Sequence, residues 1–150
     1  MASTSVETEL AVRDLVARYG DAVCRRDEAA WAATWATDCT WDLGGGRVAR
    51  GRDETVRLWL ATLEKYPWVA QLPSSGLVTE DDSGVHGSWY LLELNHRADG
   101  AGVMHLCHYT DDYVRGDSSW QFAARTLHVI YRGALDPGTV VLLPGSAAAG

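Results

Sequence analysis

A carboxylate, an imidazole and a guanidinium set among apolar residues can move a proton and hold the charge that develops. Glu93, His108 and Arg125 form such a set if two hairpins of the second half close in the simplest way. With residues 98–101 as a four-residue turn, Arg97 stands opposite Gly102, Leu91 opposite His108 and Glu93 opposite Leu106. With Tyr113 opposite Trp120, His108 meets Arg125 and Leu106 meets Leu127. Directly opposite residues share a sheet face, and diagonal neighbours are within reach of long side chains. This register gathers Trp89, Leu91, Glu93, Leu106, His108, Arg125 and Leu127 on one face, and Tyr90, Leu92, Leu94 and Tyr109 on the other. A slip of one residue in either turn exchanges the faces of a whole strand.

On that face His108 is the natural proton carrier, because imidazole changes charge near neutral pH. The plain alternative is a buried histidine satisfied by Glu93. Glu93 either orients His108, serves as a base itself if burial raises its pKa, or simply pairs with Arg125. Arg125 either stabilises an oxyanion or neutralises Glu93, since an unpaired buried charge is costly. Tyr19 either donates a hydrogen bond to a substrate carbonyl or belongs to the core. Trp41, Trp89, Leu106 and Leu127 are the expected pocket wall. No metal site is expected: His105 and His108 face opposite ways on a strand, and Cys24, Cys39 and Cys107 include no CxxC pair. Cys24 reads as an inert thiol rather than a nucleophile, which would need a cationic neighbour. The glycines at 44–46 lack a following Lys-Ser/Thr and form no phosphate loop.

The elements that must position these residues divide the chain in two. Thr4 to Glu7 fits a capping box, and Val12, Leu15, Val16, Tyr19 and Val23 continue it as the stripe of an amphipathic helix. Asp27 caps a short second helix carrying Trp31 and Trp35, residues 39–43 read as a strand, and Asp53 caps a third helix with Val56, Trp59, Leu60 and Leu63 on one side. Residues 85–97, 102–114 and 120–131 are long, aromatic and β-branched, hence strands. Helices followed by antiparallel hairpins give an α+β domain over residues 1–132, with residues 133–150 as a tail holding one apolar run at 139–143. The outer sheet face is apolar at its centre and calls for a homo-oligomer, most simply a dimer.

The 150 residues carry a net charge of −7 and a pI near 5.1, which argues against nucleic acid and anionic membranes as partners. No signal peptide or apolar membrane span is read in the chain, so a cytoplasmic location is expected. Seven Trp against one Phe suits a cavity wall as well as a core.

"LVARYGDAVCRRDEAAWAATWATDCTWDLGG", "GSWYLLEL" and "HYTDDYVRGDSSWQFAAR", above all Tyr109-x-Asp-x-Tyr-x-Arg115 followed by Trp120-Gln-Phe-Ala123, resemble the SnoaL-like proteins of the nuclear transport factor 2-like superfamily over roughly residues 8–132. The resemblance implies a cone-shaped α+β barrel, with N-terminal helices on a curved, mixed but mostly antiparallel sheet. It implies a small, largely apolar molecule as ligand, and no cofactor. Members include dehydratases, a dehydrochlorinase and polyketide cyclases, so fold alone does not settle function. Several eliminating members use an Asp late in the first helix and a His after the third. Here Cys24 and Gln71 stand at those positions, which removes the usual dyad and makes both candidate substrate contacts. Tyr19 matches a functional tyrosine of one member and Glu93 an acidic residue on the corresponding strand. The reading that results is a cofactor-independent lyase, isomerase or cyclase acting by proton transfer on a cyclic or polyketide-like carbonyl compound. The alternatives are a non-catalytic binding protein of the same fold and an accessory subunit, as in dioxygenase small subunits.

Overall fold

The computed structural model describes residues 4–135. Helix α1 spans Val6–Arg25 and buries Val12, Leu15, Val16, Tyr19 and Val23, the stripe that its spacing requires. Its cap is Ser5, whose Oγ accepts from the Thr8 amide at 3.0 Å. The expected box led by Thr4 is thus shifted by one residue, because the helix starts one residue later. Asp27 caps α2 (Glu28–Ala33), taking the Ala30 amide at 2.9 Å. Trp35 does not continue this helix; it opens strand β1 (Trp35–Asp42), which turns back into β2 (Val48–Arg50). Helix α3 spans Arg52–Leu63, with Gly51 at its cap and Asp53 in its first turn instead.

Strand β3 (Trp68–Asp81) is not announced by the sequence, because Pro73, Ser74, Ser75 and Gly76 interrupt it. Its place explains the tolerance. The sheet order is β2-β1-β6-β5-β4-β3, so β3 is an edge strand, where proline costs no ladder bond that a neighbour needs. The register shifts between Pro73 and Gly76. At Gly76 a Cβ would stand 2.1 Å from the Trp89 ring, so only glycine admits that indole. Strands β4 (Gly84–His96), β5 (Gly102–Arg115) and β6 (Trp120–Leu135) form an antiparallel meander. Strand β6 also pairs with β1 in parallel, which makes the sheet mixed. The result is the cone-shaped α+β architecture, with the helices on one face.

Between helices and sheet lies an aromatic core. Trp31 stacks on Trp59 at 4.4 Å between centroids, and Trp35, Trp41, Tyr19 and Phe122 close around them. Among the described residues, no helix is long and apolar enough to cross a membrane. Strand β6 continues through residues 133–135, past the expected domain end at 132. The rest of the tail, with its apolar run at 139–143, lies outside the described residues.

The two hairpins close differently from the simplest register, and this reorders the sheet faces. Between β4 and β5 the loop is three residues long. The Arg97 amide bonds the Ala101 carbonyl at 2.8 Å, the Gly100 amide bonds the Arg97 carbonyl at 3.0 Å, and Gly100 takes φ 88°. This is a type I turn with a left-handed glycine, a common hairpin closure. Glu93 therefore faces His105, Leu91 faces Cys107 and Tyr90 faces His108. Between β5 and β6, Arg115 pairs with Trp120, and register shifts at Asp112/Tyr113 and Leu106/Cys107 each insert one extra residue on β6. Arg125 thereby meets Asp111, not His108, and Leu127 meets Tyr109.

Candidate active site

A cavity of about 280 Å³ opens between α1, α3 and the concave sheet face. Its size suits a small organic molecule. Tyr19, Trp41, Trp59, Leu91, Tyr109 and Leu127 are among the residues that line it. Of the expected wall, Trp41 and Leu127 are in place. Trp89 is buried elsewhere in the core, its indole N–H donating to the Tyr113 hydroxyl at 2.7 Å. Leu106 lies on the opposite sheet face, where it is 38% exposed.

The polar groups of the cavity come from β3, β4 and β5, and they interlock. Gln71 Nε2 donates to Glu93 Oε2 at 2.8 Å, and Asn95 Nδ2 donates to Glu93 Oε1 at 2.8 Å. The carboxylate only accepts, so both amides must present nitrogen to it. Asn95 Nδ2 also lies 3.1 Å from His105 Nδ1. Since that nitrogen is a donor, Nδ1 accepts, and the neutral ring carries its proton on Nε2. Glu93 Oε1 is 3.7 Å from the same ring nitrogen. Burial lowers the His105 pKa below the ordinary histidine value; Glu93 opposes this and Arg132 adds to it. The imidazole is accordingly neutral at physiological pH, with an N–H to offer. Beside it, burial and then Glu93 push the Cys107 thiol up to about 12, so Cys107 is a wall residue and not a nucleophile.

His108, expected as the proton carrier, is on the other side of the sheet. Its Nε2 contacts Ser88 Oγ at 2.7 Å, and its ring lies against Tyr90 and His128. The three-residue loop is the reason: it moves β5 by one position and turns His105 inward in its place. Tyr109, expected outside, is inside for the same reason. Glu93 is where it was expected, but its partners are Gln71, Asn95 and His105 rather than Arg125.

Arg125 lies below the cavity, not in its lining. It is 1% exposed and makes two bonds to Asp111, at 2.9 and 3.2 Å. Its guanidinium sits 4.0 Å from the Tyr109 ring centroid and 4.4 Å from that of Tyr19. Burial opposes the charged guanidinium, but Asp111 with Tyr19, Tyr109 and Tyr113 outweighs it and raises the pKa. Tyr19 is both core and wall: it packs on Trp31 and Phe122 and also faces the cavity. Burial raises its pKa, with Arg125 pulling the other way, so its hydroxyl stays protonated. Cys24 is exposed and does not line the cavity; its sulfur accepts the Gln71 amide at 3.2 Å and so holds that residue's backbone. Gln71 does line the cavity.

Sequence reasoning missed His105, Asn95, Asp111 and Arg132. A signal existed for Asp111: Tyr109, Asp111 and Tyr113 alternate along β5, and all three are buried inward. Among the described residues no group of three or more His, Cys, Asp or Glu is placed to hold a metal.

Comparison with known proteins agrees with this architecture. No curated protein matches the chain. Among solved structures, it is similar to a hexachlorocyclohexane dehydrochlorinase, LinA type 2, with TM-score 0.82 and 22% identity over 93% of this chain and 96% of the other. It is similar to a scytalone dehydratase-like protein from Novosphingobium aromaticivorans, with TM-score 0.81 and 16% identity over 91% and 93%. ActVI-ORFA from Streptomyces coelicolor gives TM-score 0.71 and 19% identity over 83% and 98%. At these identities the likeness is one of fold. The family model described as the SnoaL-like domain matches residues 4–126, and with most of its length covered the chain belongs to the SnoaL-like family of the nuclear transport factor 2-like superfamily.

Proposed function

We propose that the protein catalyses proton transfer on a small, largely apolar carbonyl compound, in an elimination, isomerisation or cyclisation that needs no cofactor. One observation carries this reading: a carboxylate and a neutral imidazole, joined through Asn95, share a cavity with the apolar walls of Trp41, Trp59, Leu91 and Leu127. In this scheme Glu93 takes the proton from the carbon next to the carbonyl. The Nε2–H of His105 is donated to the carbonyl oxygen, or to a leaving hydroxyl. Glu93 gains the proton that the carbon loses, His105 supplies the one that the oxygen gains, and the pair resets through solvent. A neutral imidazole is a suitable electrophile for an enolate because its N–H is closer in acidity to the forming enol than an imidazolium would be. Gln71 and Asn95 hold the carboxylate, and Tyr19 offers a protonated hydroxyl from the facing helix.

Deuterium exchange tests the reading. Small cyclic ketones and 1,3-diketones in heavy water are expected to exchange at the carbon next to the carbonyl when the protein is added. Glu93→Gln should slow that exchange by about 10²–10⁴, the usual contribution of a general base, while His108→Ala should leave it intact. Binding of the same compounds with no exchange or turnover would replace this reading with that of a carrier. Gln71 favours such a carrier, because an amide at that position binds but moves no proton.

The same proposal includes a second copy of the chain on the outer sheet face. Leu72, Tyr90, Leu106, Ile130 and Tyr131 are exposed there, from 38 to 54%. A continuous apolar sheet face of this kind is seldom left to water, and a closed two-fold pairing covers it on both copies at once.

A further inference from the structure

Two arginines open onto the cavity of an acidic protein. Arg47, from the β1–β2 turn, and Arg132, from β6, are both exposed members of its lining, whereas the lining holds one carboxylate, Glu93. Among the described residues Glu93 forms no ion pair with either arginine; its side-chain contacts are the amides of Gln71 and Asn95 and the ring of His105. Among the described residues the Arg47 guanidinium donates to the Leu43 carbonyl at 3.3 Å and makes no ion pair, and Arg132 makes none either. In a chain of net charge −7, an unneutralised cationic rim is not what average composition would produce.

The direction of Arg132 is also built. Cys107 pairs with Val129, but Leu106 pairs with Tyr131, so Ile130 is an extra residue on β6. A bulge of this kind re-aims the side chains beyond it. Without it, Arg132 would fall on the outer face with Leu106. With it, Arg132 is opposite His105 and on the cavity side.

Resting on the proposed function above, we infer that the substrate carries an anionic group, a carboxylate, which Arg132 and Arg47 receive at the rim while the apolar body enters between Trp41, Trp59 and Leu127. A planar guanidinium binds a carboxylate through two parallel N–H bonds. The substrate class is then a keto or hydroxy acid with an apolar ring, not a neutral ketone.

The test uses two probes that differ only in charge, 2-naphthoate and its methyl ester, titrated into the full chain by calorimetry. The acid is expected to bind about ten times more tightly than the ester, as for one well-placed charged contact. Arg132→Gln should remove most of that ratio without changing the affinity of the ester, and Arg47→Gln should lower it in part. Equal affinity for acid and ester in the native protein overturns the inference and leaves the proton-transfer reading standing. A preference for the acid that survives both substitutions also overturns it. If neither probe binds at millimolar concentration, the cavity is not an acid-binding site and the inference falls as well. Exchange of neutral ketones, lost in Glu93→Gln, is read separately and decides the catalytic reading alone.

Discussion

At the scale of single residues, what matters is which atom carries which proton. Asn95 fixes the neutral His105 with hydrogen on Nε2, and burial keeps the ring neutral. Nitrogen-15 shifts at pH 7 are therefore expected to show the Nε2–H form, with a titration midpoint below the ordinary value of about 6.5. A midpoint above that value would mean that Glu93 holds an imidazolium, and the electrophile role would be lost. The same shift has a consequence for stability. The folded protein takes up the His105 proton less readily than the unfolded chain, so stability is fully present above about pH 6.5 and declines as pH falls below it. His105→Gln should remove that part of the decline in unfolding experiments. Arg125 is different in kind. Among the described residues Asp111 is its one ion-pair partner, so Asp111→Ala strands a buried cation and should cost about 3–5 kcal/mol, measured by denaturant unfolding. Glu93→Gln, which strands no charge, should cost far less.

At the scale of elements, β4, β5 and β6 and the amphipathic α1 are legible in the sequence because their apolar periodicity is long and uninterrupted. Strand β3 is not, since its Pro-Ser-Ser-Gly segment looks like a loop until its edge position is known. Glu93, Tyr19 and Trp41 could be placed because their facing depends on one strand or one helix, whereas Leu127 kept its side because both hairpin registers differ from the simplest ones by an odd number of residues. His108 could not, because its facing depends on the length of a turn. Residues 98–101 as a four-residue loop and residues 98–100 as a three-residue loop both suit Asp99-Gly100, and only the left-handed Gly100 separates them. A side chain there meets open space, so Gly100→Val isolates the backbone cost. We expect a loss of about 1–2 kcal/mol, read from the urea midpoint, with the cavity intact. A neutral result would show that the hairpin does not need its left-handed residue.

At the scale of the whole molecule, the proposed two-fold pairing rests on the exposed apolar side chains of the outer sheet face. Sedimentation of the native chain at micromolar concentration is expected to give a dimer. Tyr90→Asp combined with Leu106→Asp should give a folded monomer, because both side chains are already exposed and contribute little to the isolated fold. A native monomer would discard the two-fold arrangement without touching the cavity. The parallel pairing of β1 with β6, which sets Trp41 beside Arg125, has a different consequence, in time. These are the first and last strands of the described chain, so among the strand pairs theirs has the largest loop entropy to overcome and no local hairpin to guide it. The β3–β6 meander can form from neighbours, but the β1 wall must wait for β6. During synthesis the ligand chamber cannot exist until β6 has left the ribosome, and the four clustered tryptophans should report its closure as a late, slow fluorescence phase in refolding.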